Sequence, residues 1–332
     1  MKHIQITNEL RANSKKFSTN LFIKTRKSDF ELPIKRLEKL RDDCNGNNKN
    51  YKKYIEKIIK NYSSIINADP SKMKILIKEF EKILDKNFLK EFVPYKKLKF
   101  YDSIVKAMRY EELREKEFLD YLKSCGIKTC VYCNAQLAIV IEQKTYNKKS
   151  KKRQNYNIGK LELDHFYPKS KYPFLCTSFY NLYPVCGNCN RAKSSNPAFF
   201  ELYTESADLN PFNFWIDDNS ILDYWYSNNH NDLKVWFEIK NGNLNTYHNH
   251  NDTFGIQGIY DTQTDLAEEL LHKAKAYSDK YQKSLVDSFN KLFPDQSLVK
   301  RLVIGNYDKP EDIHKRPMAK FTQDIAKQLG LI

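Results

Sequence analysis

The chain has 332 residues, 41% of them hydrophobic, which supports an ordinary globular core of about two domains and does not favour a disordered chain. Its formal net charge of +15 favours a polyanionic partner, most simply nucleic acid, because each neutralised phosphate releases counterions. A lysine-heavy surface that is merely solvated gives the same number.

Seven cysteines include two C-x-x-C pairs and leave Cys44, Cys125 and Cys176 over. An odd count, with no apolar h-region in Met1–Leu10, argues against a disulfide framework and for a reducing cytoplasm. The longest apolar run, Leu137–Ile141, is far too short to span a bilayer.

In chain order, Ile4–Ile6 and Leu21–Ile23 are candidate short strands. From Pro33 to about Leu122 the pattern is helical. Tyr51, Tyr54, Ile55, Ile58, Ile65 and Ile66 form one apolar stripe, and Asp69-Pro70 reads as an N-cap before the stripe of Met73, Leu76, Ile77 and Phe80. A further helix is expected over Tyr101–Leu122, stopped by Gly126. Gln136–Glu142 reads as a strand, Lys144–Arg153 as a basic hairpin tip, and Ile158–Leu163 as the returning strand that delivers Asp164-His165. The tip suits a phosphate backbone and equally a solvated loop. Asn196-Pro197 is expected to stop a short helix after Cys189. Leu233, Val235, Phe237 and Ile239 alternate and run into Asn241-Gly242, a hairpin signal. Long helices are expected over Thr264–Phe293 and Glu311–Gln328. The expected class is α+β: a mainly helical region 1–126, a small core 127–198, and a mixed region 199–332.

Chemistry concentrates in residues 130–193. Cys130/Cys133 and Cys186/Cys189 are two knuckles whose four thiolates suit a closed tetrahedral zinc, structural because no position stays open. Between them lies Leu163-Asp164-His165-Phe166-Tyr167-Pro168-Lys169. Phosphodiester hydrolysis needs a base and a cation. Neutral His165 suits the base, while Asp164 and Asn190 offer hard oxygens to Mg2+ or Mn2+. Glu162 reads as an extra ligand or a surface residue, Lys169 and Lys171 as phosphate contacts or solvated lysines, and His248 and His250 as surface histidines.

In combination these motifs resemble the HNH endonucleases, the ββα-metal or His-Me finger family, in their four-cysteine zinc-ribbon form. The resemblance covers about residues 127–198 and implies a ββα-metal core with His165 as general base and Asp164 on the catalytic metal. It further implies that Asn181 braces the loop holding the base, that Asn190 stands as third motif residue where many members have His, and that Lys193 faces phosphate. A single-metal attack leaving 5′-phosphate and 3′-hydroxyl ends is implied, on DNA, most simply double-stranded. The spelling Leu-Asp-His-Phe-Tyr-Pro-Lys-Ser-Lys-Tyr-Pro is similar to nucleases of bacterial anti-phage operons, including PtuB-like effectors, which implies a defence role beside a partner ATPase. The flanks are then expected to form a partner or oligomer surface. The competing readings are an inert zinc-ribbon module that recruits nucleic acid or a partner, and an RNase.

Overall fold

The computed structural model describes residues 1–22, 30–44, 49–92, 98–147, 152–240 and 243–332. After a two-residue strand β1 (Ile4–Gln5), Thr7 caps α1 (Asn8–Asn20) by accepting the Leu10 amide. Leu21 and Phe22 form a turn instead of the expected strand, with Phe22 buried at φ 64°; Ile23 lies outside the described residues. Four helices follow: α2 (Pro33–Asp43), α3 (Lys49–Lys60), α4 (Tyr62–Ile66) and α5 (Pro70–Glu81). The stripe from Tyr51 to Ile66 is buried but breaks at Asn61. Asp69 caps α5 through the Lys72 amide at 2.9 Å, with Pro70 in the first turn.

The single helix expected over Tyr101–Leu122 is three pieces: α6 (Phe100–Ala107), α7 (Tyr110–Glu112) and α8 (Phe118–Cys125). Arg109 breaks it by taking a left-handed conformation, φ 62°, held by bonds from its guanidinium to the Glu31 carbonyl and, at 2.6 Å, to Glu112. A π-helical turn, Leu113–Glu117, joins α7 to α8. Gly126 ends α8 at φ 72°, as its position predicts.

Four two-stranded sheets stand among the described residues. β2 (Ile139–Asn147) and β3 (Lys152–Lys160) form a long antiparallel ribbon. The chain bends at Leu161 and starts a new strand, β4 (Glu162–His165), which pairs with β5 (Leu182–Val185). Asp164 and His165 therefore do not end the ribbon's second strand. They sit opposite Tyr183 and Leu182, and α9 (Gly187–Lys193) follows β5 directly. The result over 162–193 is strand, strand, helix. α9 ends at Lys193, ahead of Asn196-Pro197, with Ser194 at φ 49°.

In the last third, β6 (Tyr203–Thr204) runs parallel to β1, and β7 (Phe212–Ile216) pairs with β8 (Val235–Ile239) across α10 (Asp218–Ser227). Val235 and Phe237 are buried and Trp236 and Glu238 exposed, the expected alternation. The partner of β8 precedes it, however, and the chain then enters α11 (Leu244–Phe254), so no hairpin is made beyond Asn241-Gly242, which lie outside the described residues. After α12 (Ile256–Asp261), the long helix expected to Phe293 is split into α13 (Thr264–Ala276) and α14 (Asp279–Ser288), because Ser278 turns its hydroxyl to cap the second at Tyr281 N. α15 (Gln296–Ile304) follows. The last helix begins late: a 3-10 turn covers Pro310–Lys315, Arg316 is extended before Pro317, and α16 (Ala319–Gln328) starts beyond it, with Gly330 at φ 71°. The architecture is α+β. One buried cluster runs through all of it. Phe80 of α5 stacks on Phe174 at 3.9 Å, and Phe118 and Tyr121 of α8 pack on Phe179, so the helical part grips the loop between β4 and β5. Among the described residues no helix is long and apolar enough to cross a membrane.

Candidate functional site

The two knuckles meet. The sulfurs of Cys130, Cys133, Cys186 and Cys189 all lie within 4.8 Å of one another and all four residues are buried, an arrangement able to hold one metal ion such as zinc. Hydrogen bonding from Cys130 and Cys133 holds the Cys186 thiol well below its ordinary value, while burial pushes Cys130 up. The first knuckle is shaped by Asn134, at φ 55° and fully buried. Its amide donates to Thr129 Oγ1 at 3.0 Å and Ile313 O at 2.9 Å, and its Oδ1 accepts the Lys320 amide at 2.9 Å. Tyr260 donates to Cys133 O at 2.8 Å, and His250 Nε2 donates to Tyr132 O at 2.8 Å. The expectation that His250 is a surface residue is corrected: it is fully buried among Phe200, Phe212 and Phe254, while His248 is exposed. The second knuckle is the start of α9.

His165 ends β4 and is 7% exposed. Its Nε2 lies 3.0 Å from Cys176 O, a partner that can only accept, so Nε2 carries the proton and Nδ1 keeps its lone pair. Burial lowers its pKa to about 3, with the nearby Lys169 and Lys193 charges adding to the effect. The Tyr110 ring leans on the imidazole at 4.6 Å, and Lys169 sits 5.0 Å above that tyrosine ring. Asn181 is fully buried. Its Oδ1 accepts the Tyr167 amide at 2.8 Å, and its Nδ2 donates to Tyr167 O and Leu175 O at 3.2 and 3.0 Å. One side chain thus ties both ends of the segment that carries the Cys176 carbonyl.

Asp164 and Asn190 are not brought onto one another. Asp164 is buried, with Oδ2 accepting from Tyr132 Oη at 2.7 Å and both oxygens paired to Lys193 Nζ at 3.0–3.1 Å. Lys193 also donates to His165 O at 2.8 Å and is fully buried, so it points inward and does not face an open phosphate site. Burial lowers its pKa, opposed by Asp164. Asn190 instead donates its amide to Glu162 Oε2. Glu162 and Asn190 line a cleft of about 1010 Å³ between the π-turn with α8 and the β2–β3 ribbon; Asp164 and His165 do not line it. Lys171 bonds the Ser195 carbonyl at 3.2 Å. Sequence reasoning missed Tyr110, Tyr132 and Asn134. Their roles depend on contacts with distant segments, and only the place of Tyr132 inside the first C-x-x-C marks it.

Comparison with protein families, with curated proteins and with solved structures finds no match to this chain.

Proposed function

We propose that the protein is a metal-dependent endonuclease of the HNH type acting on DNA. The observation that carries this reading is His165: an imidazole kept neutral by burial, its Nε2 committed to the Cys176 carbonyl and its Nδ1 left as acceptor, at the end of a strand paired to a second strand and followed by a short helix. A neutral imidazole with a free lone pair is the protonation state a general base for water requires. Four clustered cysteines at the start of that helix, and Asn181 across the intervening loop, give it a rigid frame.

Glu162 and Asn190 fit a hard divalent cation better than Asp164 does in this conformation. They offer a carboxylate and an amide oxygen on an open cleft, whereas both Asp164 oxygens already have partners. Mg2+ keeps several waters and takes one or two carboxylates plus substrate phosphate, so a sparse donor pair suffices. Such a cation would supply charge for the pentavalent phosphorus and the departing oxygen. On this reading His165 Nδ1 takes the proton of the attacking water and Lys169 beside it meets the phosphate; because His165 does not line the cleft of Glu162 and Asn190, reaching one phosphate requires a change of conformation in which Asp164 releases Lys193. The +15 net charge supplies the attraction for the polyanion. A role in anti-phage defence with a partner ATPase belongs to the same proposal, and co-purification with such an ATPase tests it.

A second reading has its own support. The buried Asp164–Lys193 pair is what a site turned to purely structural use would contain. Plasmid nicking with Mg2+ or Mn2+ separates the two: cutting by the wild type, reduced about 100-fold or more in His165→Ala, supports the nuclease. Equal cutting by both removes His165 from the chemistry. No cutting by either supports the inert, zinc-braced binding module.

A further inference from the structure

A second pocket, of about 390 Å³, is built by the two segments that leave the strand-strand-helix unit. The loop after β4 gives it Phe166, Tyr167 and Tyr172, and the segment after α9 gives it Pro197, Phe199 and Glu201. Phe166 is buried and forms the floor. Tyr167 and Tyr172 are half-buried walls, their ring centroids 5.6 Å apart and their planes at 77°. Phe199 stands at the rim, 48% exposed, and packs on no other ring among the described residues. Its exposure is enforced: the Asn249 side chain accepts the Phe199 amide at 3.0 Å and donates to Pro197 O at 3.3 Å. Asn181 holds both backbone groups of Tyr167 in the same way. The rings are fixed before anything binds, which keeps the entropy cost of stacking on them low.

Polar groups around these rings are few and mostly basic. Lys171, which also lines the pocket, bonds Ser195 O at 3.2 Å and has further protons to donate. Lys86 Nζ lies 5.0 Å from the Tyr172 ring, and Lys74 pairs with Glu201 at 2.7 Å. Lys86 and Lys74 are both exposed, and surface ion pairs of their kind are weak.

We propose that this pocket takes one unpaired nucleobase, stacked on Phe199 and the tyrosine walls, with the adjoining phosphate on Lys171. Every base has a π-face, so aromatic walls accept any of them while lysines beside the rings hold the backbone. Glu201 keeps lone pairs beyond the one that Lys74 takes, and these suit the exocyclic amine of adenine, cytosine or guanine. An apolar peptide side chain would fill the rings and gain nothing from the lysines; an inorganic anion would gain nothing from the rings. The substrate then carries an unpaired nucleotide, from a single-stranded stretch or a base turned out of a duplex. That consequence for a substrate rests on the nuclease reading.

The test is fluorescence anisotropy with the full chain, without added divalent cation, on three labelled DNA probes: a perfect duplex, the same duplex with one bulged adenine, and the single strand that contains it. The expected result is binding of the bulged duplex, or of it and the single strand, about 5- to 150-fold tighter than the perfect duplex, the range that one stacked base supplies. Preference for the bulge alone assigns a base turned out of a duplex; preference for both assigns any unpaired stretch. Phe199→Ala, at unchanged zinc content and Tm, should abolish the preference and leave the perfect duplex bound as before, and Phe199→Trp should restore it. No preference for an unpaired base, or one untouched by Phe199→Ala, overturns the proposal. A protein that cuts without such a preference would sink this inference and keep the nuclease reading, and a Phe199-dependent preference in a protein that never cuts would do the reverse.

Discussion

Lys193 reaches Asp164 inside the protein: its Nζ lies 3.0 Å from Oδ2, and both side chains are almost wholly removed from solvent. The same ammonium holds the His165 carbonyl, so α9 and β4 are joined at the residue pair nearest the proposed chemistry.

Lys193→Met should therefore be severe. It strips a buried carboxylate of its counter-charge and leaves only the Tyr132 hydroxyl, at a cost of about 3–5 kcal/mol by urea denaturation. Adding Asp164→Asn should recover most of that loss. A single variant as stable as the wild type would show that the pair contributes nothing.

Metal removal should act on the whole fold. Cys186→Ser or Cys189→Ser is expected to bring bound zinc, measured by plasma mass spectrometry, from one per chain to none, and to lower Tm sharply. A chelator should do the same to the wild type. Full zinc in either variant would mean that the four sulfurs do not share one ion.

Acidification should destabilise the protein well above the carboxylate range. His250 and His314 are both fully desolvated, each donating Nε2 to a backbone carbonyl, and burial lowers each pKa from 6.5 to about 3. The unfolded chain then binds more protons below pH 6.5, so their contribution is complete above about 6.5 and drains away as pH falls towards 3. Each should remove about 2 kcal/mol between pH 7 and pH 5. His250→Gln, which keeps a donor and cannot titrate, should flatten that dependence; an unchanged profile would place the proton elsewhere.

Asn181→Ala removes three hydrogen bonds at once and should cost about 3 kcal/mol in a thermal or urea melt. If the nuclease reading holds, nicking should fall further than stability explains, since the carbonyl that orients His165 is freed. Loss of stability without any such excess would limit Asn181 to packing.

Much of this was readable in advance wherever the signal is local. Paired cysteines, the Asp69-Pro70 cap, Gly126 and the alternation around Phe237 each state their structure within a few residues. What the sequence does not state locally depends on partners far along the chain. Periodicity runs through the breaks at Asn61, Arg109 and Ser278, because a broken helix keeps the same apolar face on the core. The ribbon hid β4: the nearby β3 looked like its continuation, while its true partner comes after the loop that carries Cys176. Asn190 and Asp164 look like a pair in sequence, yet Lys193, one helical turn beyond Asn190, reaches the aspartate instead.

The Asn134 contacts bear on how the protein is made. The turn holding Cys130 and Cys133 is completed by backbone groups of Ile313, Met318 and Lys320, nearly two hundred positions downstream. At about 5–20 residues per second, a ribosome leaves those thiols waiting roughly ten seconds or more for the segment that closes over them. Until that segment emerges the buried Asn134 side chain lacks its downstream partners, so the first knuckle reaches its final packing only once residues 313–320 are made.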